Sequence, residues 1–544
     1  MIPPPGNVRA LGVLPSQETS EDQGPIAMPA PEEPDVRCDS RHSHFEASFS
    51  ASKIAGLSWA DWGVLLIFVA GALVAVLNYV PGMDEAQGWL IARDLSVPGI
   101  LRQMRYEGTP PLWHLLLSLL IHLHLPYAAL GFVSLSMVGA AMYVWLRWSP
   151  LPLVVRLLVP FAFFFQYQYA VVARSYSLST LLAFVAAALW RRTRLSVIPL
   201  AIVLALLVQT NLYGFAMGAG IALAVTAEYC FSKRWERAEQ KPGRLLLAAA
   251  LVIGSLLAAW YIARPAPDNF DAIRYYAPLH KRFLSMVLYL GPGSLAQWVE
   301  PLADSLAVPP GPLSAAVLFL VIWFIAIKRH FCLLPLLCTL AAMNLVFWTS
   351  WHCGMALVAL LISLWAAWPE QPFTAARWLT LLLIGSLSLV LLAQIPETAS
   401  AIRHQLVDPS SPGKQASEFL KPMAGKRPIY GANYYAGVVL PYFAQNIFAN
   451  RSPRVGVWTK SSETIRQEKQ MLASAFPRDA VFLFGTVDGP GTDPAHRQQY
   501  DPVDVMLARG SMRKTHIFCG KMIWFSGFLR QDCLITYEYR PVSQ

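Results

Sequence analysis

The sequence predicts an α-helical polytopic membrane protein that ends in a small extracytoplasmic α/β domain, and three observations lead there. The 544 residues are 55% hydrophobic and only 14% charged, too apolar and too charge-poor for a soluble chain of this length. Long apolar runs recur from Leu57 to Ile395, with basic clusters at alternate connections. After Pro396 the composition turns polar and stays so to Gln544, with helical and strand-like patterns alternating. A net charge of +10 would suggest nucleic acid in a soluble chain, but here the placement of the charges matters more than their sum.

Met1 to Ser52 is rich in Pro, Glu and Ser and has no apolar core, so it does not resemble a cleavable signal; residues 1–55 are expected to form a disordered cytoplasmic tail. Candidate spans follow at Leu57–Val80, Tyr127–Leu146, Leu151–Tyr167, Tyr176–Trp190, Leu195–Thr210, Gly214–Phe231, Leu245–Ala263, Pro312–Ile327, Phe331–Thr349, Met355–Trp368 and Trp378–Ile395. These make about eleven transmembrane helices, several near the short end of the spanning length, and place a membrane domain at 56–396. Basic residues mark alternate connections: Arg147 and Arg156, Arg191 to Arg194, Lys233 to Arg244, Lys328 and Arg329, and Arg377. If these face the cytoplasm, the N-terminus is inside and the C-terminal domain, 397–544, outside. Leu112 to Leu125 is apolar but only about two-thirds of a spanning length and follows Pro110-Pro111. It is read as interfacial or re-entrant, so that 81–125 forms a first outer loop with in-plane helices and 264–311 a second. Within the second, Pro278–Leu290 has an amphipathic pattern.

Two adjacent carboxyls, Asp84 and Glu85, sit where the first span leaves the bilayer. Charges at a hydrocarbon boundary lose hydration, so a carboxylate kept there is usually paired, bound to a ligand or catalytic. The competing reading is a cap: Asp84 accepting from amides of a following in-plane helix whose apolar face is Ala86, Trp89, Leu90 and Val97. The expected outer loops also carry Arg93, Arg102 and Arg105 beside Asp94 and Glu107, and Arg174 stands alone at a span end. These run against the positive-inside bias. An anionic phosphate at the outer face would hold them through charge-assisted bonds; neutralising neighbouring carboxylates or touching lipid headgroups is the alternative.

Asp84-Glu85 with Trp89 and Arg93, then Tyr106-Glu107-Gly108-Thr109-Pro110-Pro111-Leu112-Trp113, resembles the polyprenyl-phosphate-sugar-dependent glycosyltransferases of the GT-C fold. These include the protein O-mannosyltransferases and the aminoarabinose transferases of lipid A. Arg174-Ser175-Tyr176, Asn211-Leu212-Tyr213-Gly214 and Trp351-His352-Cys353-Gly354 are similar to segments of the bacterial branch, so the likeness covers roughly Leu57 to Ile395. One departure is Thr109, where many relatives carry His; His114 lies close by. The resemblance implies an inverting single displacement at the outer face of a bacterial cytoplasmic membrane, from a polyprenyl-phosphate-linked sugar to an envelope glycan, lipid or protein. It implies Asp84 as general base with Glu85 in support, Arg174, Arg105 and Arg93 on the donor phosphate, and a cavity lined by Trp89, Asp94, Glu107, His114, Tyr176, Tyr213 and His352.

No cofactor is expected. A divalent ion on Asp84, Glu85 and Asp94 is conceivable, but the nearby arginines already supply positive charge. Cys519 and Cys533 fall in the expected extracytoplasmic domain, where a bridge is permitted but not fixed by sequence. That domain is expected to run helix Lys414–Lys421, strand Pro428–Gly431, helix Tyr434–Phe443, strand Val455–Trp458, helix Thr464–Ala475, strand Ala480–Phe484, and strands near His516–Cys519 and Leu534–Tyr539. Two other classes compete with a transferase. A transporter or flippase of lipid-linked glycans should place ionisable groups at mid-membrane, and a non-catalytic assembly protein could share the same fold.

Overall fold

The computed structural model describes residues 57–192, 197–231, 241–269, 292–306, 312–369, 377–452, 454–473, 476–477, 479–488, 512–525 and 528–539. The expected tail and the amphipathic segment Pro278–Leu290 lie outside the described residues. Five helices are long and apolar enough to cross a membrane: Trp59–Asn78, Tyr127–Trp148, Leu212–Phe231, Pro242–Ala263 and Trp378–Val407.

The first, α1 (Trp59–Asn78), opens with a capping box in which Ser58 and Asp61 satisfy each other's amides. Asp61 also takes Arg156 at 3.1 Å, tying the opening turn to a later segment. After α1 come three shorter helices, α2 (Met83–Asp94), α3 (Val97–Glu107) and α4 (Leu112–His122). Gly108 ends α3 with φ 66°, a left-handed conformation that glycine adopts without a Cβ clash, and Pro110-Pro111 then prevent the helix from continuing. α5 (Leu130–Trp148) follows.

The apolar run expected to span at Leu151–Tyr167 is broken. α6 (Leu153–Leu158) lasts six residues, a 3₁₀ turn covers Val159–Phe161, and a π-helical turn covers Phe164–Tyr169. Pro160 is the cause: it has no N–H to give the carbonyl of Arg156. The indole of Trp145 donates to that carbonyl instead, at 3.0 Å. Hydropathy counts side chains and is blind to this lost backbone donor.

The remaining helices are α7 (Ser175–Arg192), α8 (Ile198–Leu207), α9 (Leu212–Phe231), α10 (Pro242–Ala263), α11 (Pro292–Leu306), α12 (Pro312–Arg329), α13 (Leu334–Leu345), α14 (Gly354–Ala367) and α15 (Arg377–Val407). α14 is buried at every residue and forms the centre of the helical layer. α10 is the reverse: Leu246, Leu247, Ile253, Leu257 and Trp260 are exposed, a lateral apolar face suited to hydrocarbon. Gly220 of α9 lets the backbones meet, since a Cβ there would lie 2.6 Å from the Cα of Pro335. α15 runs through Pro396 to Val407, so the polar part begins about ten residues later than the composition shift suggested.

Beyond α15 come α16 (Gly413–Leu420), β1 (Ile429–Ala432), a 3₁₀ stretch at Tyr435–Tyr442, α17 (Ser462–Ala473), β2 (Val481–Asp488), β3 (Met512–Trp524) and β4 (Phe528–Tyr539). The sheet order is β1-β2-β4-β3, with β1 and β2 parallel and the other pairs antiparallel. The expected strand at Val455–Trp458 is not one. Its peptide groups bond side chains of α2 rather than a neighbouring strand: Gly456 N–H donates to Asp94 at 2.8 Å, and the Trp458 carbonyl accepts from Gln87 at 2.7 Å. Cys519 and Cys533 are directly opposite on β3 and β4 and form a disulfide. The bridge closes a loop with a sequence separation of 14 residues. Restricting such a loop in the unfolded chain contributes about 3 kcal/mol. Reductant is therefore expected to lower the melting temperature of the wild-type chain and to leave a Cys519→Ser/Cys533→Ser variant unmoved.

The helical layer and the sheet share buried side chains. Phe525, at the end of β3, packs on Phe163 and Phe164 with ring centroids 5.1 and 4.4 Å apart. α2 is enclosed on two sides. Trp89 and Ala92 pack with Trp113, Leu117 and Tyr127, while Met83, Ala86 and Leu90 pack with Ala416, Leu420, Ile429 and Val438. The expectation of an interfacial helix with its apolar face on the membrane is thus corrected: protein covers that face. Periodicity reports that a face is apolar, not which apolar medium covers it.

Candidate functional site

The segments joining α1 to α2, the π turn to α7, α8 to α9 and α13 to α14 all meet at the helix ends opposite the Asp61–Arg156 pair. They surround a cavity of about 390 Å³. Its floor is set by a polar network. Asn211 accepts from the amides of Tyr213 and Gly214 and donates to Ser175 at 3.1 Å and Ser179 at 2.7 Å. Three sequence segments far apart in the chain therefore converge. Tyr176 and Tyr213 lie 5.9 and 5.2 Å from His352, and Arg174 lies 5.0 Å from the ring of Trp351.

Asp84 and Glu85 stand in the first turn of α2, and both line the cavity. The N-cap is Gly82, and Asp84 makes no capping bond, which removes the cap as the account of this residue. Asp84 instead accepts from the hydroxyl of Tyr434 at 2.8 Å and pairs with Nη2 of Arg174. Nε of the same guanidinium donates to Glu85 Oε1 at 3.1 Å. Arg174 thus bridges two neighbouring carboxylates that point in different directions from one helical turn. Their environments differ sharply, with side-chain exposure of 47% for Asp84 and 2% for Glu85. Burial pushes the Glu85 carboxyl up to about 7, against the lowering effects of backbone amides at Glu85 and Gly82 and of the Arg530 guanidinium. Tyr79 also lies near it.

A pH signature follows. Below about 7 Glu85 takes a proton and loses its charge-assisted hold on Arg174, leaving the guanidinium to Asp84 alone. Any activity that needs this arrangement is expected to decline as pH falls through 7, and Glu85→Gln is expected to remove that limb from the profile. A Glu85→Gln enzyme with an unchanged acid limb would assign the limb to another group.

The other expected site residues divide cleanly. Glu107, His114, Tyr176 and His352 line the cavity. Glu107 accepts from the amides of Gln87 and Gln103, both at 3.0 Å. His114 is buried, burial pushes its pKa down to about 4, and its Nδ1 has no hydrogen-bond partner among the described residues. His352 is pushed down to about 3, by burial first and the Arg174 charge second. Its Nδ1 accepts from the Thr349 amide at 3.0 Å, which puts the remaining proton on Nε2. Both imidazoles are neutral near pH 7 and suited to hydrogen bonding rather than to carrying charge.

Arg93, Arg105, Trp89, Asp94 and Tyr213 do not line the cavity. Arg93 pairs with Asp94 at 2.6 Å and donates to the Phe443 carbonyl at 2.8 Å, so these two hold α2 against the C-terminal part. Trp89 packs on Tyr127 with ring centroids 5.3 Å apart. The carbonyl of Arg105 receives Ala266 and Asn269 at 3.2 and 3.0 Å, an anchoring role for the backbone. Tyr213 donates to the Phe347 carbonyl at 2.8 Å and supports His352 from behind. Because Asp94 is committed elsewhere, a set of Asp84, Glu85 and Asp94 oxygens does not assemble. Among the described residues no group of three or more His, Cys, Asp or Glu is placed to hold a metal ion.

Sequence reasoning missed one wall of the cavity. Tyr434, Lys460, Met522, Arg530 and Asp532 reach it from the C-terminal part. Tyr434 reads in sequence as a core aromatic; it is indeed enclosed, yet its hydroxyl serves Asp84. Nothing local to Lys460 or Arg530 signals a role, because each is brought in by chain folding over hundreds of residues. Comparison with known protein families, with characterised proteins and with solved structures finds no match for this chain.

Proposed function

We propose that this chain is a membrane glycosyltransferase of the GT-C type, of about eleven spans, acting at the outer face of a bacterial cytoplasmic membrane. It takes a sugar from a polyprenyl-phosphate donor and gives it to an extracytoplasmic acceptor. The observation that carries this reading is the half-exposed Asp84 carboxylate, held by Tyr434 and Arg174 at the edge of a closed-in cavity. Tyr434 engages one carboxylate oxygen and Arg174 the other, and each oxygen keeps a further lone pair for an acceptor hydroxyl.

In the proposed step the acceptor O–H proton passes to Asp84 while its oxygen bonds the anomeric carbon. The bond from that carbon to the phosphate oxygen breaks, and its electron pair leaves with polyprenyl phosphate. Cations in the cavity wall offset the charge that develops on the phosphate. Attack opposite the leaving group inverts the anomeric centre. A single carboxylate at the reacting face fits this better than a paired-carboxylate glycosidase scheme, since Glu85 is engaged with Arg174. Neutral His114 and His352 are available to bond sugar hydroxyls.

A flippase is the second reading, and the placement of charge argues against it. The described buried ion pairs, Asp61–Arg156, Glu228–Arg329 and the Arg174 cluster, lie near helix ends rather than at mid-helix. The test is incubation of the purified chain with polyprenyl-phosphate monosaccharides and an envelope-glycan extract, with the product read by mass spectrometry and anomeric NMR. Transfer with inversion is expected. Retention of configuration, or movement of the lipid-linked sugar across vesicles without transfer, would defeat the proposal.

A further inference from the structure

The cavity wall contains two guanidiniums that sequence distance keeps 356 positions apart, Arg174 at the start of α7 and Arg530 on β4. Like charges facing one small, partly buried space repel unless an anion sits between them. Arg530 and Arg174 each lower the proton affinity of nearby groups, and both act on the Glu85 site. Lys460 adds a third cation to the wall, its Nζ 5.7 Å from the ring centroid of Tyr434. Carboxyls also line the cavity, but they are engaged: Asp84 and Glu85 by Arg174, Glu107 by two amides, Asp532 by Nε of Arg530 at 2.8 Å. That last bond fixes the plane of the Arg530 guanidinium, and the Cys519–Cys533 bridge ties its strand to β3.

We infer that Arg530 and Lys460, from the C-terminal part, face Arg174 across the cavity as an anion clamp for the phosphate of a phosphorylated lipid. Arg174 is largely occupied by Asp84 and Glu85, so the C-terminal part supplies the main grip and the helical layer the minor one. This rests on the proposed function for the nature of the lipid, but not for the presence of the anion. It also gives the β3–β4 hairpin, wedged by Phe525 against Phe163 and Phe164, a role in building the site.

The test uses the full chain in detergent, titrated with undecaprenyl phosphate and, as the uncharged control, undecaprenol. Arg530→Gln is expected to weaken phosphate binding on the order of ten- to a hundredfold and to leave undecaprenol binding unchanged. Arg530→Lys should fall between. An Arg530→Gln/Asp532→Asn variant, which leaves no orphaned carboxylate, should keep the wild-type melting temperature and show the same selective loss. Arg102→Gln, on the exposed side of α3, should bind as wild type. Wild-type affinity in Arg530→Gln, or equal wild-type affinity for the phosphate and the alcohol, would overturn the clamp. Phosphate-selective binding that depends on Arg530 in a chain that transfers no sugar would uphold the clamp while removing the transferase reading.

Discussion

Replacing Asp84 by Asn is expected to reduce sugar transfer by roughly a hundred- to ten-thousandfold, the range set by losing a positioned general base. The loss should appear in kcat with little change in KM, because Asn keeps the size of the side chain and a carbonyl that can still accept from Tyr434. Stability should hardly move. The Asp84 side chain is 47% exposed, and ion pairs so open to water contribute at most about 1 kcal/mol. A folded Asp84→Asn enzyme with activity within a fewfold of wild type would remove this carboxylate from the chemistry. An assembly protein without catalysis would be indifferent to the change altogether.

Arg174→Gln is expected to act on the fold as much as on the site. It leaves Glu85, with 2% side-chain exposure, without its cation, and stripping one partner from a buried pair costs about 3–5 kcal/mol. The cost depends on pH. Glu85 already has its folded pKa raised to about 7, above the ordinary carboxyl range, and losing Arg174 raises it further. The folded state therefore favours the protonated acid, and the stability that this proton provides is present at low pH and lost as pH rises through the folded pKa. Arg174→Gln should be nearer wild type at pH 6 and clearly weaker at pH 9 in thermal or denaturant melts. Adding Glu85→Gln should recover much of the loss at pH 9. A double variant no more stable than the single would show that the guanidinium acts through packing on Trp351 instead.

Some of this was visible in the chain itself. A run such as Leu57–Val80 can only bury its backbone polar groups as a helix in an apolar medium, so its existence and approximate ends follow from composition. The same holds for Asp84-Glu85 and Arg174: charges at the ends of apolar runs must be satisfied, and the structure satisfies them with one another. The late strands were legible from alternation, and the Cys519–Cys533 pair from their presence there, though not the pairing itself.

Other features had no local trace. The run at Leu151–Tyr167 reads as a span until the lost donor of Pro160 is counted, and α2 reads as amphipathic until the protein around it is known. Arg93, Arg105 and Asp94 have the same residue types and the same neighbourhood in sequence as Arg174, Asp84 and Glu85, yet they secure the backbone rather than the cavity. Sequence alone determined which segments are apolar and which charged groups must find partners, because hydration free energy is a property of each residue. Tertiary structure alone decided which partner each charge found and which wall of the cavity it joined, because Coulomb and hydrogen-bond energies depend on distances that only the folded chain fixes.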